Sequence, residues 1–314
     1  MTETTETSVA PWHPSQPHHA LAEDVRWWLG TPAAFALFGR LALDQVAYRE
    51  VAAAVDASGR FAQNFTDRGI RSGLWGPLLL FGDDADRRAS AERLKRLHGE
   101  VRGTGRGHFA GERYSALNPA LWKWVGTTSL LVFYTGYVTT YGRALDPEQR
   151  EVVYATILHL VDFDLPSEQA RIPATAVEAE AYYDAVAATE LADNEFLQWA
   201  HRRFDALPMP TLFGPHWLHR LMTPAWRLAT PVLGRPAKVC AEGAAHPRMR
   251  ELLGTPDTRR RRAELRLYLA LVRLARRALP RRLLLDPLAY NRYRYERLRA
   301  LYEKPQLSSF AARG

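Results

Sequence analysis

Four of the chain's pairs of a small polar residue and a following proline stand at the head of a helical pattern: Thr31-Pro32, Asn118-Pro119, Asp146-Pro147 and Asp286-Pro287. Each pair reads as a helix start. The polar side chain can accept a free backbone N–H of the first turn. Proline at the first helical position surrenders an N–H that has no partner there anyway. Gln149 adds the capping-box position after Asp146. Behind these starts the apolar residues recur at three- and four-residue spacing. Trp124, Val125, Thr128, Leu131 and Val132 follow Asn118, and Val152, Val153, Ile157 and Leu160 follow Asp146. No stretch shows strand alternation between turn signals, and no Gly-x-Gly start of a dinucleotide fold occurs. The expectation is one all-α globular domain of roughly ten to twelve helices over residues 21–304. A polar N-terminal segment at 1–20 and a flexible tail at 305–314 lie outside it.

The remaining helices are predicted from the same periodicity. A short one ends at Trp27 and Trp28, and Gly30 closes it. Ala33, Phe35, Leu37 and Leu41 follow, then a small-residue helix with Val51, Ala52 and Val55. Phe61 to Arg71 reads as a polar turn with two bulky anchors, Phe61 and Phe65. Leu74 to Phe81 is apolar, and Asp86 to Arg102 is the next helix. Gly103 to Gly111 holds four glycines and reads as a flexible connection. Thr175 caps an Ala- and Glu-rich helix, and short helices cover Asn194 to Phe204 and the region of Trp217 to Met222. Arg261 to Leu279 places Leu265, Leu269, Val272 and Leu274 inward and Arg266, Arg273 and Arg277 outward. Thr127 to Tyr141 is the longest apolar run. Its Thr and Tyr content and Gly136 make it a core helix and not a membrane span.

The net charge of +8 is uneven. Residues 259–304 hold fifteen basic and four acidic side chains, a balance of +11. Three uses of this surplus stand open: a solvated face, contact with an anionic membrane surface, or contact with cofactor carboxylates. Nucleic acid is not expected, because the arginines alternate with leucine runs and no nucleic-acid motif accompanies them. One cysteine, Cys240, excludes a disulfide framework and any Cys-based zinc or iron–sulfur site. The first residues lack a basic segment followed by an apolar stretch, which argues against a secretory signal. A cytoplasmic setting follows, with peripheral contact at the inner membrane face as one reading of the basic helices.

Few residue patterns carry chemistry. HExxH, GxSxG, paired cysteines and the kinase set are all missing. His216 and His219 have metal-ligand spacing, but no Glu-x-x-His pairs accompany them. His108 lies in the glycine-rich stretch and reads as a surface residue. His98 falls on the stripe of Ala91, Leu94, Leu97 and Val101. A lone histidine on an apolar face is most often a core residue with a hydrogen bond, and it is also a candidate metal or haem ligand. Arg68 and Ser72 are four apart and share a face if they are helical.

Taken in order, Gly39, Gln45-Val-Ala, Val51-Ala-Ala-Ala-Val55, Ser58, Arg68-x-x-x-Ser72, Phe81-Gly82, Leu97-His98-x-x-Val101-Arg102-Gly103 and Tyr114-Ser-Ala-Leu-Asn-Pro119 resemble the MpaB-type oxygenase family. Latex-clearing proteins, which cleave polyisoprene with haem b and O2, are its relatives. The resemblance is close over Phe35 to Tyr154 and looser from there to Tyr302. It implies that His98 is the proximal ligand of haem iron, the metal-binding residue. It implies catalytic and cofactor-binding roles for Arg68 and Ser72, which would orient haem or O2. Ser72 stands where the family usually has Thr. Arg102 joins them as a cofactor-binding residue, and Gln45 and Ser58 match positions without an assigned role. One departure matters. Many members read Trp-Val-His-Ala-Thr-Leu, whereas this chain reads Trp124-Val125-Gly126-Thr127-Thr128-Ser129. The resemblance therefore implies a haem b-dependent oxygenase acting on a hydrophobic, unsaturated or isoprenoid small molecule. The loss of the histidine keeps a second reading open: a haem-free lipid- or isoprenoid-binding helical protein that docks to membranes through its basic C-terminal helices.

Overall fold

In the computed structural model, residues 18–160, 167–212 and 214–309 are described. The chain opens with α1 (His19–Leu29), α2 (Pro32–Phe38), a 3₁₀ turn at Gly39–Ala42, α3 (Leu43–Ala47) and α4 (Arg49–Ser58). Then come α5 (Arg60–Gln63), α6 (Phe65–Gly73), α7 (Trp75–Phe81) and α8 (Asp84–Gly99). A hairpin of β1 (Arg102–Thr104) and β2 (Arg113–Ser115) follows. After it run α9 (Pro119–Tyr141), α10 (Pro147–Leu160), α11 (Ala176–Thr189) and α12 (Glu195–Asp205). The remainder is α13 (His216–Leu233), α14 (Arg235–Ala244), α15 (Pro247–Leu252), α16 (Arg259–Ala278), α17 (Arg281–Leu284) and α18 (Pro287–Ser309). The all-α expectation holds.

The proline-marked starts behave as their chemistry requires. Asn118 Oδ1 accepts the Ala120 N–H at 3.0 Å, and Asp286 Oδ1 accepts those of Leu288 and Ala289. Asp146 and Gln149 form a reciprocal capping box. Thr31 differs: its hydroxyl donates back to Trp28 O at 2.7 Å and so closes α1 instead of capping α2.

The core is built around α9, which is buried on every side and packs against α1, α2, α3, α10, α11, α14 and α16. Its small residues permit that crowding. A Cβ on Gly136 would lie 2.9 Å from the rings of Phe38 and Trp28. Its hydroxyls stay paired in the dry interior by bonding back to their own helix, Thr128 to Trp124 O and Thr140 to Gly136 O. No described helix is long and apolar enough to cross a membrane, as the run from Thr127 predicts.

Both ends of the described chain close on α1. Asp24 accepts Tyr137 Oη from α9 at 2.8 Å and Arg276 Nη2 from α16 at 2.7 Å. Arg26 is bidentate to Glu296 of α18 at 2.9 and 2.6 Å, and Trp27 meets Tyr293 edge-on at 5.2 Å. Part of the C-terminal arginine surplus is thus structural. Arg235 pairs with Glu264, and Arg261 pairs with the buried Glu242, which also sits 3.4 Å from the buried Arg40.

Several expectations are corrected. Phe61 to Arg71 is no turn: Gly59, at φ +62°, ends α4, and Asn64 Oδ1 caps α6 on the Asp67 N–H. The His98 helix starts at Asp84, under a capping box from Asp83, and stops at Gly99 because Arg102–Thr104 pairs with Arg113–Ser115. The glycine-rich stretch is therefore an ordered hairpin with Phe109 buried at its tip. Leu274 is exposed, together with Leu267 and Leu271, so the outer face of α16 is more apolar than expected. Arg273 is half-buried, its side chain passing over Gly142 at the end of α9. Helix already begins at His19 and continues through Pro305 to Ser309, inside the expected flexible ends; residues 1–17 and 310–314 lie outside the described residues. The expected loop Asp162 to Pro173 is described only from residue 167.

Candidate cofactor site

His98 sits in the last turn of α8. Its Nδ1 lies 2.8 Å from Leu94 O, and a carbonyl can only accept. Nδ1 therefore carries a proton, and in the neutral ring that leaves the lone pair on Nε2, a tautomer assigned from the partner. The ring meets Trp122 of α9 edge-on at 5.8 Å. The apolar stripe around it is only partly covered: Ala91, Leu94, His98 and Val101 are half-buried, and Leu97 is 45% exposed. Ser90 is the one fully buried residue of α8 among the described residues. Leu74, between α6 and α7, and Leu78 of α7 are exposed as well. The imidazole thus stands on an apolar face that protein covers incompletely.

Arg68 and Ser72 are brought together as their spacing predicts. Arg68 Nη1 donates to Ser72 Oγ, and Ser72 Oγ donates to Arg68 O at 3.1 Å. The guanidinium also lies over the Phe61 ring at 5.3 Å. Burial, then the neighbouring Arg60 and Arg71, hold its pKa below the usual arginine value. Among the described residues none of these three arginines has a carboxylate partner. Asp67, the nearest acid in sequence, is taken up by the N–H and hydroxyl of Thr211 and the N–H of Leu212. A half-buried cation crowded by two others is a ready partner for an anion. No direct bond joins Arg68 or Ser72 to His98. They stand two helices apart in the consecutively packed run α6, α7, α8. Arg102 is exposed on β1, just past the end of α8.

The two unassigned positions have structural accounts. Gln45 Nε2 donates to Ser129 Oγ at 3.1 Å and fastens α3 to α9 one turn from Gly126. Ser58 Oγ donates to Val55 O and accepts the Arg60 N–H, closing the joint between α4 and α5. Gly126 itself is buried. A Cβ there would lie 2.8 Å from Ile172 Cδ1 and 3.2 Å from Cγ1, so Ile172 fills the space next to the position at which the family resemblance implies a histidine. Flanking it, Trp124 Nε1 and Thr127 Oγ1 are buried with no hydrogen-bond partner among the described residues.

An ionisable group escaped the sequence reading. Asp44 is buried, its Oδ2 accepts Tyr183 Oη at 2.6 Å, and Tyr183 packs against Trp124 at 5.3 Å. Burial raises the Asp44 carboxyl to about 7, against the lowering effect of the tyrosine hydrogen bond. The acid interrupts an apolar stretch, Leu41-Ala-Leu-Asp-Gln-Val-Ala, which was the available signal. Because the folded pKa lies above the ordinary value of 3.8, the native state holds this proton more tightly than the unfolded one. Its stabilising contribution is complete below about pH 4 and lost as pH rises through about 7. Asp44→Asn should therefore raise stability at pH 8 by about 1–3 kcal/mol, with little change at pH 4, in denaturant melts at the two pH values.

Other candidates gather no metal set. His216 and His219 have ring centroids 5.9 Å apart at nearly right angles, but the described residues contain no cluster of three or more His, Cys, Asp or Glu able to hold an ion. His108 is a surface residue paired with Glu195 at 2.6 Å. Cys240 is buried and unpaired in any disulfide.

No curated protein and no solved structure matches the chain. A family model does, over residues 25–276, and that span runs from within α1 to within α16, with His98, Arg68, Ser72 and Gly126 inside it. The chain belongs to the family described as the catalytic domain of the ER-bound oxygenase mpaB/B′ and rubber oxygenase.

Proposed function

We propose that this member of an oxygenase family binds haem b and oxidises a hydrophobic, unsaturated or isoprenoid small molecule with O2. The observation that carries the reading is the contact of His98 Nδ1 with Leu94 O at 2.8 Å. Leu94 O holds Nδ1–H, orients the ring and makes Nε2 the more basic nitrogen, the arrangement metal-ligating histidines require. His98 Nε2 would hold the iron. The half-covered apolar stripe of α8 suits a flat apolar ring. Arg68 would take a propionate, since it lacks an acid partner and is repelled by Arg60 and Arg71. Ser72 fixes that guanidinium by its hydrogen bond, and Arg102 would add positive charge at the mouth. When bound, haem supplies one-electron and O2 chemistry that no side chain here provides. The protein's part is to bind, to orient and to keep water away.

Ile172 against Gly126 favours a second reading, the haem-free lipid- or isoprenoid-binding protein, because a histidine that relatives tend to keep is absent and its space filled. One spectrum separates the two. Protein purified from cells supplied with a haem precursor should show a Soret band with stoichiometric iron, and should consume O2 when given an unsaturated isoprenoid. Folded, helical and colourless protein would favour the second reading and overturn the first.

A further inference from the structure

Opposite faces of α13 meet different surroundings. Its inner face carries His219 and Thr230, both buried, and Trp226, whose Nε1 donates to Leu207 O at 2.8 Å. Half a turn away stand Trp217, Leu221, Leu228 and Val232, which are 66%, 67%, 81% and 72% exposed. Their spacing of four, seven and four keeps them on one stripe, with Pro224, Ala225 and Pro231 between them. From Trp217 to Val232 the stripe runs about 22 Å. A continuous exposed apolar face of that length marks an interface.

Charge selects the partner. Residues 206–241 contain no Asp or Glu but hold Arg220, Arg227, Arg235 and Lys238. Arg235 and Lys238 are paired with Glu264 and Asp205. Arg220 and Arg227 border the stripe on one side and make no ion pair among the described residues. A second copy docked stripe to stripe would bring these arginines together with no carboxylate in the segment to neutralise them. An anionic surface neutralises them directly. A tryptophan at one end, leucines along the face and arginines at the edge are the composition of a helix lying in a headgroup layer. No described helix can cross a bilayer, so the contact is in-plane.

We propose that α13 is an interfacial helix that seats the protein on an anionic lipid membrane, with Trp217, Leu221, Leu228 and Val232 in the headgroup–acyl boundary and Arg220 and Arg227 on lipid phosphates. This inference stands apart from the haem reading and applies whether or not haem is bound. The test is flotation of the full-length protein with phosphatidylcholine vesicles, with and without phosphatidylglycerol. Wild type should float with the phosphatidylglycerol vesicles and progressively less as salt is raised. The double change Leu221→Glu with Leu228→Glu should weaken partitioning about tenfold or more while the circular dichroism spectrum is retained. Arg220→Gln with Arg227→Gln leaves the apolar stripe intact and should weaken it by at least about fivefold, which keeps the test decisive if the Glu variant does not fold. Equal flotation of wild type and the folded variants overturns the proposal. So does absence of flotation, and so does a concentration-dependent dimer that the Glu variant dissolves, which would assign the stripe to a second copy.

Discussion

Purified with haem supplied during expression, the His98→Ala protein is expected to be colourless where wild type carries a Soret band. The imidazole is the only protein ligand to iron in the proposed site, and without it only apolar contact and the Arg68 cation would hold the ring. Loss of a partner outside the coordination shell alone costs up to about a hundredfold in metal affinity, so loss of the ligand itself should cost at least that. The fold should survive the change. Apart from the carbonyl of its own helix, His98 meets the edge of Trp122, and alanine is the better helix former. A stability change below about 1 kcal/mol is expected, so a colourless sample with a wild-type circular dichroism spectrum has lost its ligand and not its structure. Free imidazole should restore part of the band by entering the space left by the ring. Undiminished absorbance in His98→Ala would sink the assignment.

Restoring the histidine that relatives tend to carry should damage this chain. Gly126→His would drive a Cβ to within 2.8 Å of Ile172 Cδ1 and place an imidazole in a fully packed part of α9. Overpacking and a buried polar ring together should cost on the order of 3–5 kcal/mol. Ile172→Ala alone should cost about 2–5 kcal/mol through the cavity it leaves. The two changes share one volume, so the double variant should be more stable than the sum of the singles by at least about 1 kcal/mol. Urea midpoints and slopes of the four proteins measure that coupling. Strict additivity would mean that Ile172 does not occupy the histidine's place.

How much of this was legible beforehand depends on the range of the determining contact. Helix starts are local, and Asn118-Pro119 and Asp146-Pro147-x-Gln149 were readable because the cap and the N–H that donates to it lie within three residues. The Arg68–Ser72 pair was readable for the same reason. The hairpin at 102–115 was not, since strands of three residues are too short to show alternation and glycine content resembles that of a loose loop. Periodicity found stripes on α8 and α16 without saying what covers them, and of α13 it found only the short piece around Trp217 to Met222. The stripe of His98 is half-covered, that of α13 faces outward, and Leu274 lies on the wrong side of α16. Asp44 and Gly126 were beyond reach for a stronger reason. Their partners, Tyr183 and Ile172, lie far along the chain, so a buried acid and a filled space appear only once the tertiary structure forms.

The clasp between α1 and α18 has a consequence for synthesis. Glu296 is made 270 residues after Arg26. At ribosomal speeds that interval is roughly 15–50 s, during which Arg26 lacks its acid and Trp27 its aromatic neighbour. α1 therefore cannot finish packing until α18 leaves the tunnel. The nascent chain holds the apolar surface of α1 open for that interval, and holdase chaperones have that long to act on it.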